Sequence, residues 1–356
     1  MCHNIPYFRQ MNPSIKSDYF GTLKNGQRIK TYTLSNHNGL EVEVLNYGGI
    51  IRRLSLPDRG EQFENCVLGF DNLRDYEEKS PYFGAIIGRY GNRIAHGKFS
   101  LDGTTYTLAQ NHGEHHLHGG EKGFDKAIWA VQEDITKEGV GLILTHISPH
   151  MEEGYPGTLS TQVTYRLTEQ NTLMVDYIAH TDRPTILNLT QHSYFNLSGN
   201  PQQDCLDHQL EIKANHFLTV DKNMIPSGEK MAVQNTPFDF TTAQDIGSVI
   251  KQSHEQLTKG NGFDHCYCLA SETDRLKKVA ALYHAQSGRK MQVHTTSLGM
   301  QLYTANHLEA PFVPYGAVCL ETQAYPDSPN QSHFPSTVLR PEVPFKSSTH
   351  FHFSID

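Results

Sequence analysis

Glu321 stands in the run Cys319-Leu320-Glu321-Thr322-Gln323-Ala324-Tyr325, where apolar neighbours take a carboxylate out of water. A carboxylate is costly there unless it is hydrogen-bonded or held ready to move a proton. Two histidine-centred segments could supply the matching acid. One is His115-His116-Leu117-His118-Gly119-Gly120, and the other is Asn188-Leu189-Thr190-Gln191-His192-Ser193-Tyr194-Phe195-Asn196-Leu197. One base, one acid, and no phosphate-binding or redox motif beside them point to proton transfer on a small molecule.

Around these lie groups suited to hydroxyls. Gly88-Arg89-Tyr90-Gly91-Asn92-Arg93-Ile94 carries two arginines in a glycine-broken apolar context. The ordinary fate of such an arginine is a structural ion pair, but its planar fork of donors can also hold a polyol, and Asn92 beside Arg93 suits that use. Asp264 in Gly262-Phe263-Asp264-His265 and Gln301 in Gly299-Met300-Gln301-Leu302-Tyr303-Thr304-Ala305-Asn306 are each flanked by apolar residues. Singly they read as buried structural hydrogen-bonders; with Arg93, His118 and His192 they form a set of donors and acceptors fit for a ring of hydroxyls. Ser193 and Tyr194 belong to the same polar stretch as His192, which suggests a polar pocket, and Phe124, Tyr194, Phe195 and Tyr325 could stack on sugar C–H faces. The histidine cluster also raises metal ligation, since His116 and His118 would share a face of a strand. Glu121 follows too closely, and no second histidine segment completes a ligand set, so no metal is expected. The Gly119-Gly120 pair after His118 implies positive φ or a close backbone approach.

The elements that must position these groups read as strands. Leu40–Leu45, Leu142–Ile147, Thr161–Leu167 and Leu173–Ile178 alternate with period two. Asn38-Gly39, Asp102-Gly103, Glu138-Gly139 and Gln170-Asn171 supply turn signals between strand-like runs, which predicts hairpins rather than parallel crossovers. Helical patterns are few, with 243–256 the best. The chain is expected to be all-β, a large antiparallel sandwich or barrel with few short helices. Residues 1–17 are expected to form an N-terminal extension and 18–356 a single domain, because no repeat or linker divides the 356 residues.

A formal charge of −8 gives no electrostatic footprint for nucleic acid. No apolar run is long enough to span a bilayer and no secretory leader is evident, so a cytoplasmic location is expected. The six cysteines are scattered, and Cys266-Tyr267-Cys268 lacks metal-ribbon or redox spacing, so free thiols are expected.

Across most of its length, from about Phe20 to Phe353, the sequence resembles the aldose 1-epimerase (galactose mutarotase) family. The resemblance rests on several segments in order: Gly88–Ile94, Leu117-His118-Gly119-Gly120, Glu153-Gly154-Tyr155-Pro156-Gly157, Asn188–Leu197, Thr236-Pro237-Phe238-Asp239-Phe240, Gly262–His265 and Leu320-Glu321-Thr322-Gln323. It implies a large antiparallel β-sandwich with the sugar in an open cleft on one sheet. Glu321 matches the family's general base and His192 its general acid; Asn92, Arg93, His118, Asp264 and Gln301 match its sugar-binding residues. Gln191 stands where an Asn is usual before the acid, Gly91 where Ala is common, and His150-Met151 where Asp-Gly usually precedes Glu152-Glu153. The implied activity is interconversion of the α and β anomers of a free hexose, galactose or glucose. Glu321 would take the anomeric proton and a protonated His192 would give one to the ring oxygen, with no cofactor and no partner beyond the aldose, in a monomer or homodimer. The competing readings are a hexose-6-phosphate 1-epimerase, which should carry extra basic residues, and a non-catalytic sugar-binding module. A glycosidase fits less well, because a histidine rather than a second carboxylate faces Glu321.

Overall fold

The computed structural model describes residues 12–270 and 275–356. Three large sheets organise it, and every paired strand in them is antiparallel. Nine strands form the widest, in the order Ala130–Thr136, Gly139–Ser148, Leu159–Thr168, Thr172–Thr181, Phe345–Ile355, Arg289–Thr295, Lys277–Tyr283, Gln209–Ile212 and Gln244–Asp245. A five-stranded sheet runs from Ser14–Thr22 to Phe63–Asn65, and a second one places Cys319–Gln323 at its edge beside Gly299–Tyr303 and then Asp264–Cys268.

The period-two pattern explains the packing. Val163, Tyr165 and Leu167 are fully buried while Gln162, Thr164 and Arg166, which alternate with them, are partly exposed. One continuous core joins these residues to Leu34, Val42 and Leu54 of the first five-stranded sheet and to Met300, Leu302 and Leu320 of the second. The nine-stranded sheet thus buries one face against both smaller sheets, as a sandwich requires. The turn signals fall where expected: Asp102 and Gly103 both have positive φ between Lys98–Leu101 and Thr104–Thr107, and Asn171 has φ 55° between Leu159–Thr168 and Thr172–Thr181.

Two expectations are corrected. The strand Ser14–Thr22 pairs with Arg28–Ser35, so residues 14–17 of the expected extension belong to a sheet of the domain; residues 1–11 lie outside the described residues. The helix expected over 243–256 is two short ones, Ile246–Val249 and Glu255–Gly260. After Ile250 the next apolar residue is Leu257, so no apolar stripe continues through the break, and the His254 side chain caps the second helix by accepting from the Gln256 N–H. Among the described residues no helix is long and apolar enough to cross a membrane.

Candidate active site

The second five-stranded sheet brings the acidic groups together by register. Gln301 sits directly opposite Glu321, and Asp264 opposite Tyr303 on the next strand. His192 arrives from another direction, just after the short strand Thr190–Gln191 that pairs with Ile86–Ile87. Its backbone is held on both sides, donating to Ala85 O at 2.9 Å and accepting from Gly84 N–H at 2.9 Å. Gln191, the departure from the usual Asn, spans the same place: its amide donates to Gly84 O and accepts from Ser193 N–H, leaving the His192 ring untouched.

His118 and Asn92 are built as a pair where Arg93–Ile94 meets His116–Leu117. His118 N–H donates to Asn92 O, and Asn92 N–H donates to His118 Nδ1, both at 3.1 Å. His118 has φ 51°, so it leaves the strand rather than sharing a face with His116. The following Gly119 is obligatory: φ is 87° and a Cβ there would lie 1.8 Å from Gly88 O. Arg93 donates through Nη2 to Asp264 Oδ2 at 3.1 Å, and Gln301 donates through Nε2 to Asp264 Oδ1 at 2.6 Å.

These groups meet around a cavity of about 330 Å³. Asn92, Arg93, His118, His192, Tyr194, Asp264 and Glu321 all line it. Ser193 and Gln301 do not. Ser193 is buried with its hydroxyl unpartnered among the described residues, one residue out of phase with His192, and Gln301 reaches the site through Asp264. Of the aromatic residues expected to face a sugar, only Tyr194 lines the cavity. Phe124 and Phe195 belong to the core, and Tyr325 packs on Phe334. Arg89 is structural, its guanidinium donating to Ser148 and to the carbonyls of Pro149, Pro156 and Gly157. Tyr82, His112, Lys259, Tyr303 and His307 line the cavity without having been singled out in the sequence. Each sits in a segment that carries no motif by itself, although Tyr303 and His307 lie within or just after the Gly299–Asn306 stretch. A larger groove of about 500 Å³ elsewhere is lined by neither a carboxylate nor a histidine.

The central contact is His192 Nε2 to Glu321 Oε2, 3.6 Å apart, with both side chains almost wholly buried. That distance is beyond a hydrogen bond, and Glu321 Oε2 has no other partner among the described residues. Burial drives Glu321 well above the usual carboxylate range; the charge on Asp264 pushes the same way and Arg93 opposes it. Burial also lowers His192 to about 4, against smaller upward pulls from its own backbone and Asp264. Burial thus favours the uncharged form of each side chain, whereas the roles expected from the sequence use the charged forms. Asp264 stays below its ordinary value: burial would raise it, but Arg93 and the Gln301 amide outweigh that. His118 is held well below 6.5 by burial, with the neighbouring His192 and Arg93 adding to it.

His118, His192 and Glu321 place one ligand atom each within 4.8 Å of one another, as a metal site would. The hydrogen bonding disfavours that use. His118 Nδ1 accepts the Asn92 N–H, so in the neutral ring Nε2 carries the proton and is a donor toward the cavity. Asp207, His208 and His284 are likewise close, but His208 Nε2 accepts from Leu197 N–H and His284 Nδ1 from Ser287 N–H. The remaining nitrogen of each ring is thus the N–H that meets Asp207, which makes a closed clamp.

The family model for aldose 1-epimerase matches residues 30–352. Bovine galactose mutarotase is 40% identical over 351 residues, covering 96% of this chain and 99% of the relative, and the human galactose mutarotase is likewise 40% identical over 351 residues with the same coverage. The aldose 1-epimerase of Escherichia coli K12 is 33% identical over 338 residues, covering 92% of this chain and 96% of the relative. Among solved structures, galactose 1-epimerase from Lactobacillus acidophilus NCFM superposes with a TM-score of 0.85 at 27% identity, covering 96% of this chain and 99% of that one. An aldose epimerase homologue from C. elegans gives 0.84 at 27% identity with the same coverage.

Proposed function

The chain belongs to the aldose 1-epimerase family, and from that premise we propose that it interconverts the α and β anomers of a free aldohexose, with Glu321 and His192 moving the protons. The observation that carries this is the buried 3.6 Å approach of Glu321 Oε2 to His192 Nε2 at the wall of one cavity. The anomeric and ring oxygens of a pyranose are bonded to the same carbon, so an acid and a base that act on them together must themselves be close.

In the ionised arrangement, the Glu321 carboxylate takes the proton of the anomeric hydroxyl while the His192 imidazolium gives one to the ring oxygen. The C1–O5 bond breaks and the aldehyde forms. The proton inventory is now that of the neutral pair, Glu321 as acid and His192 as free base, which is the arrangement burial favours. Rotation about C1–C2 presents the other carbonyl face. Closure returns the proton from Glu321 to the carbonyl oxygen and removes the C5 hydroxyl proton to His192, so the opposite anomer leaves with both side chains restored. Burial thus favours the protonation states that the open-chain stage requires of the two side chains.

Positioning falls to His118 as an Nε2–H donor and to Arg93 and Asp264 as a coupled donor and acceptor. No cofactor enters this scheme, because nothing is oxidised and no group is transferred. A cytoplasmic enzyme, monomeric or homodimeric, completes the proposal.

Polarimetry on freshly dissolved α-galactose, α-glucose, α-xylose and α-glucose 6-phosphate tests it. Faster approach to anomeric equilibrium with the free hexoses is expected. Saturable binding without any acceleration makes the protein a sugar-binding module, and preference for the phosphate ester makes it a phosphohexose enzyme.

A further inference from the structure

Glu321 cannot by itself make His192 a competent acid, because the imidazole has left water almost completely and its Nδ1 has no partner among the described residues. Two phenol rings stand parallel to it. Tyr194 stacks with a centroid distance of 4.9 Å and an interplanar angle of 10°, and Tyr82 lies at 6.1 Å and 16°. The two are tied together. The Tyr194 hydroxyl donates to the carbonyl of Pro81 at 2.8 Å, so the ring on His192 anchors the residue just before Tyr82. Tyr82 also touches the other cavity imidazole, His118, at 4.6 Å. It holds φ 68°, a left-handed conformation that an aromatic residue rarely adopts and that local contacts must enforce.

We propose that Tyr82 and Tyr194 are positioning residues for the acid: their rings fix the tilt of the His192 imidazole over the cavity and offer it the electron-rich π faces that its cationic form needs in place of water. An aromatic face attracts a cation through the ring quadrupole, and the attraction strengthens once both are desolvated. It is larger for the imidazolium than for the neutral ring, so it works where the proton must sit on nitrogen before it passes to the sugar. The other groups around His192 pull in different directions. Glu321 and Asp264 favour the cation, whereas Arg93 and, if charged, His118 oppose it. The rings are the uncharged contributors, and they act without moving the charge balance of the sugar subsite.

The inference rests on the proposed mutarotation, and the experiment separates the two. Wild-type polarimetry comes first: no acceleration there removes the function itself. With an active wild type, Tyr194→Leu and Tyr82→Leu are compared with Tyr194→Phe and Tyr82→Phe, with folding checked by circular dichroism. Leucine keeps the cavity dry but removes the π face. The expected kcat losses are about tenfold at position 194 and about threefold at the more distant position 82, the scale of a desolvated and a marginal cation–π contact. KM should change by less than about threefold, and phenylalanine should restore most of the rate. The pH limb governed by His192 should move down by about one unit in Tyr194→Leu, matching the tenfold loss. If the rings only exclude water, the limb moves up toward the ordinary histidine value, and that result overturns the inference. So does a pair of folded leucine variants with unchanged kcat and pH profile, or a phenylalanine variant as slow as its leucine counterpart.

Discussion

Replacing Glu321 by Gln and His192 by Asn, singly and together, tests whether the two side chains form one proton-transfer unit. Glu321→Gln keeps the side chain's length and hydrogen-bonding capacity at a strand position fixed opposite Gln301, but an amide cannot accept the anomeric proton. His192→Asn keeps the backbone bonds to Ala85 and Gly84 and leaves a donor that cannot release a proton to the ring oxygen. Each change should lower kcat by roughly 10²-fold or more, the scale of a positioned proton-transfer group, which is about 3 kcal/mol of barrier or more. The sugar contacts proposed for Arg93, Asp264, His118 and Asn92 rest on bonds among those residues and not on Glu321 or His192. Affinity should therefore change by less than about tenfold, as read by fluorescence titration or by inhibition kinetics. Because ring opening needs both transfers, the double variant should lose little more than the worse single one, a coupling of about 3 kcal/mol. The assay is the polarimetric relaxation rate, with spontaneous mutarotation subtracted. A folded Glu321→Gln protein with near wild-type kcat would refute the base. A double variant whose loss equals the product of the single losses would show two groups acting independently and refute the shared unit.

Four further outcomes are expected. The kcat profile should be bell-shaped, because only the singly protonated pair is active. Its acidic limb should lie near pH 4, where His192 gains a second proton for the pair, and its basic limb above the ordinary carboxylate value, where Glu321 loses the shared one; a flat profile from pH 4 to 9 contradicts this. Arg93→Ala should raise KM at least tenfold, because it removes the proposed sugar donor and strips Asp264 of the guanidinium that holds its carboxyl below its ordinary value; unchanged kinetics in a folded variant return Arg93 to a structural role. Exhaustive chelation should leave activity intact, since His118 Nε2 is committed as a donor; activity that disappears and returns only with a divalent ion overturns that. Finally, burial lowers His116 to about 4 and His265 to about 3, so at these two positions the folded state binds fewer protons than the unfolded chain below the ordinary value of 6.5. Their stabilising contribution is complete above pH 6.5 and declines as pH falls, by about 2 kcal/mol per histidine at pH 5. Urea unfolding at pH 7 and pH 5 measures it, and equal stabilities at the two values contradict it.

The sandwich was legible because alternation and turn chemistry are local. Thr161–Leu167 alternates in sequence and in burial alike, and Asp102-Gly103 makes its turn from its own backbone preferences. The expected helix over 243–256 failed for an equally local reason, an apolar stripe that stops at Ile250. The site was partly legible. Glu321 announced itself as a carboxylate in an apolar run and His192 as part of an unusually polar stretch, and seven of the nine expected residues line one cavity. Ser193 did not, since adjacent residues in an extended chain point to opposite sides and only one of His192 and Ser193 can face the sugar. Tyr82 was invisible because its place depends on a left-handed turn and on the Tyr194 hydroxyl bond to Pro81, neither of which has a sequence signature.

The protonation state lay furthest from the sequence, and the reason is physical. Sequence pairs a carboxylate with a histidine and assigns them opposite charges, which is right in water, where their ordinary values are about 4 and 6.5. Desolvation penalises the charged form of each, so burial moves the two values toward and past one another. Here Glu321 rises and His192 falls to about 4, while Arg93 opposes the rise and Asp264 both adds to it and resists the fall of His192. A site that moves one proton between two oxygens of a sugar needs the two arrangements of its pair to be close in free energy. An ion pair deep in water would fix one arrangement, and a dry pair without neighbouring charge would fix the other. The Arg93–Asp264 couple, held beside the pair by Gln301, is the neighbouring charge in this site.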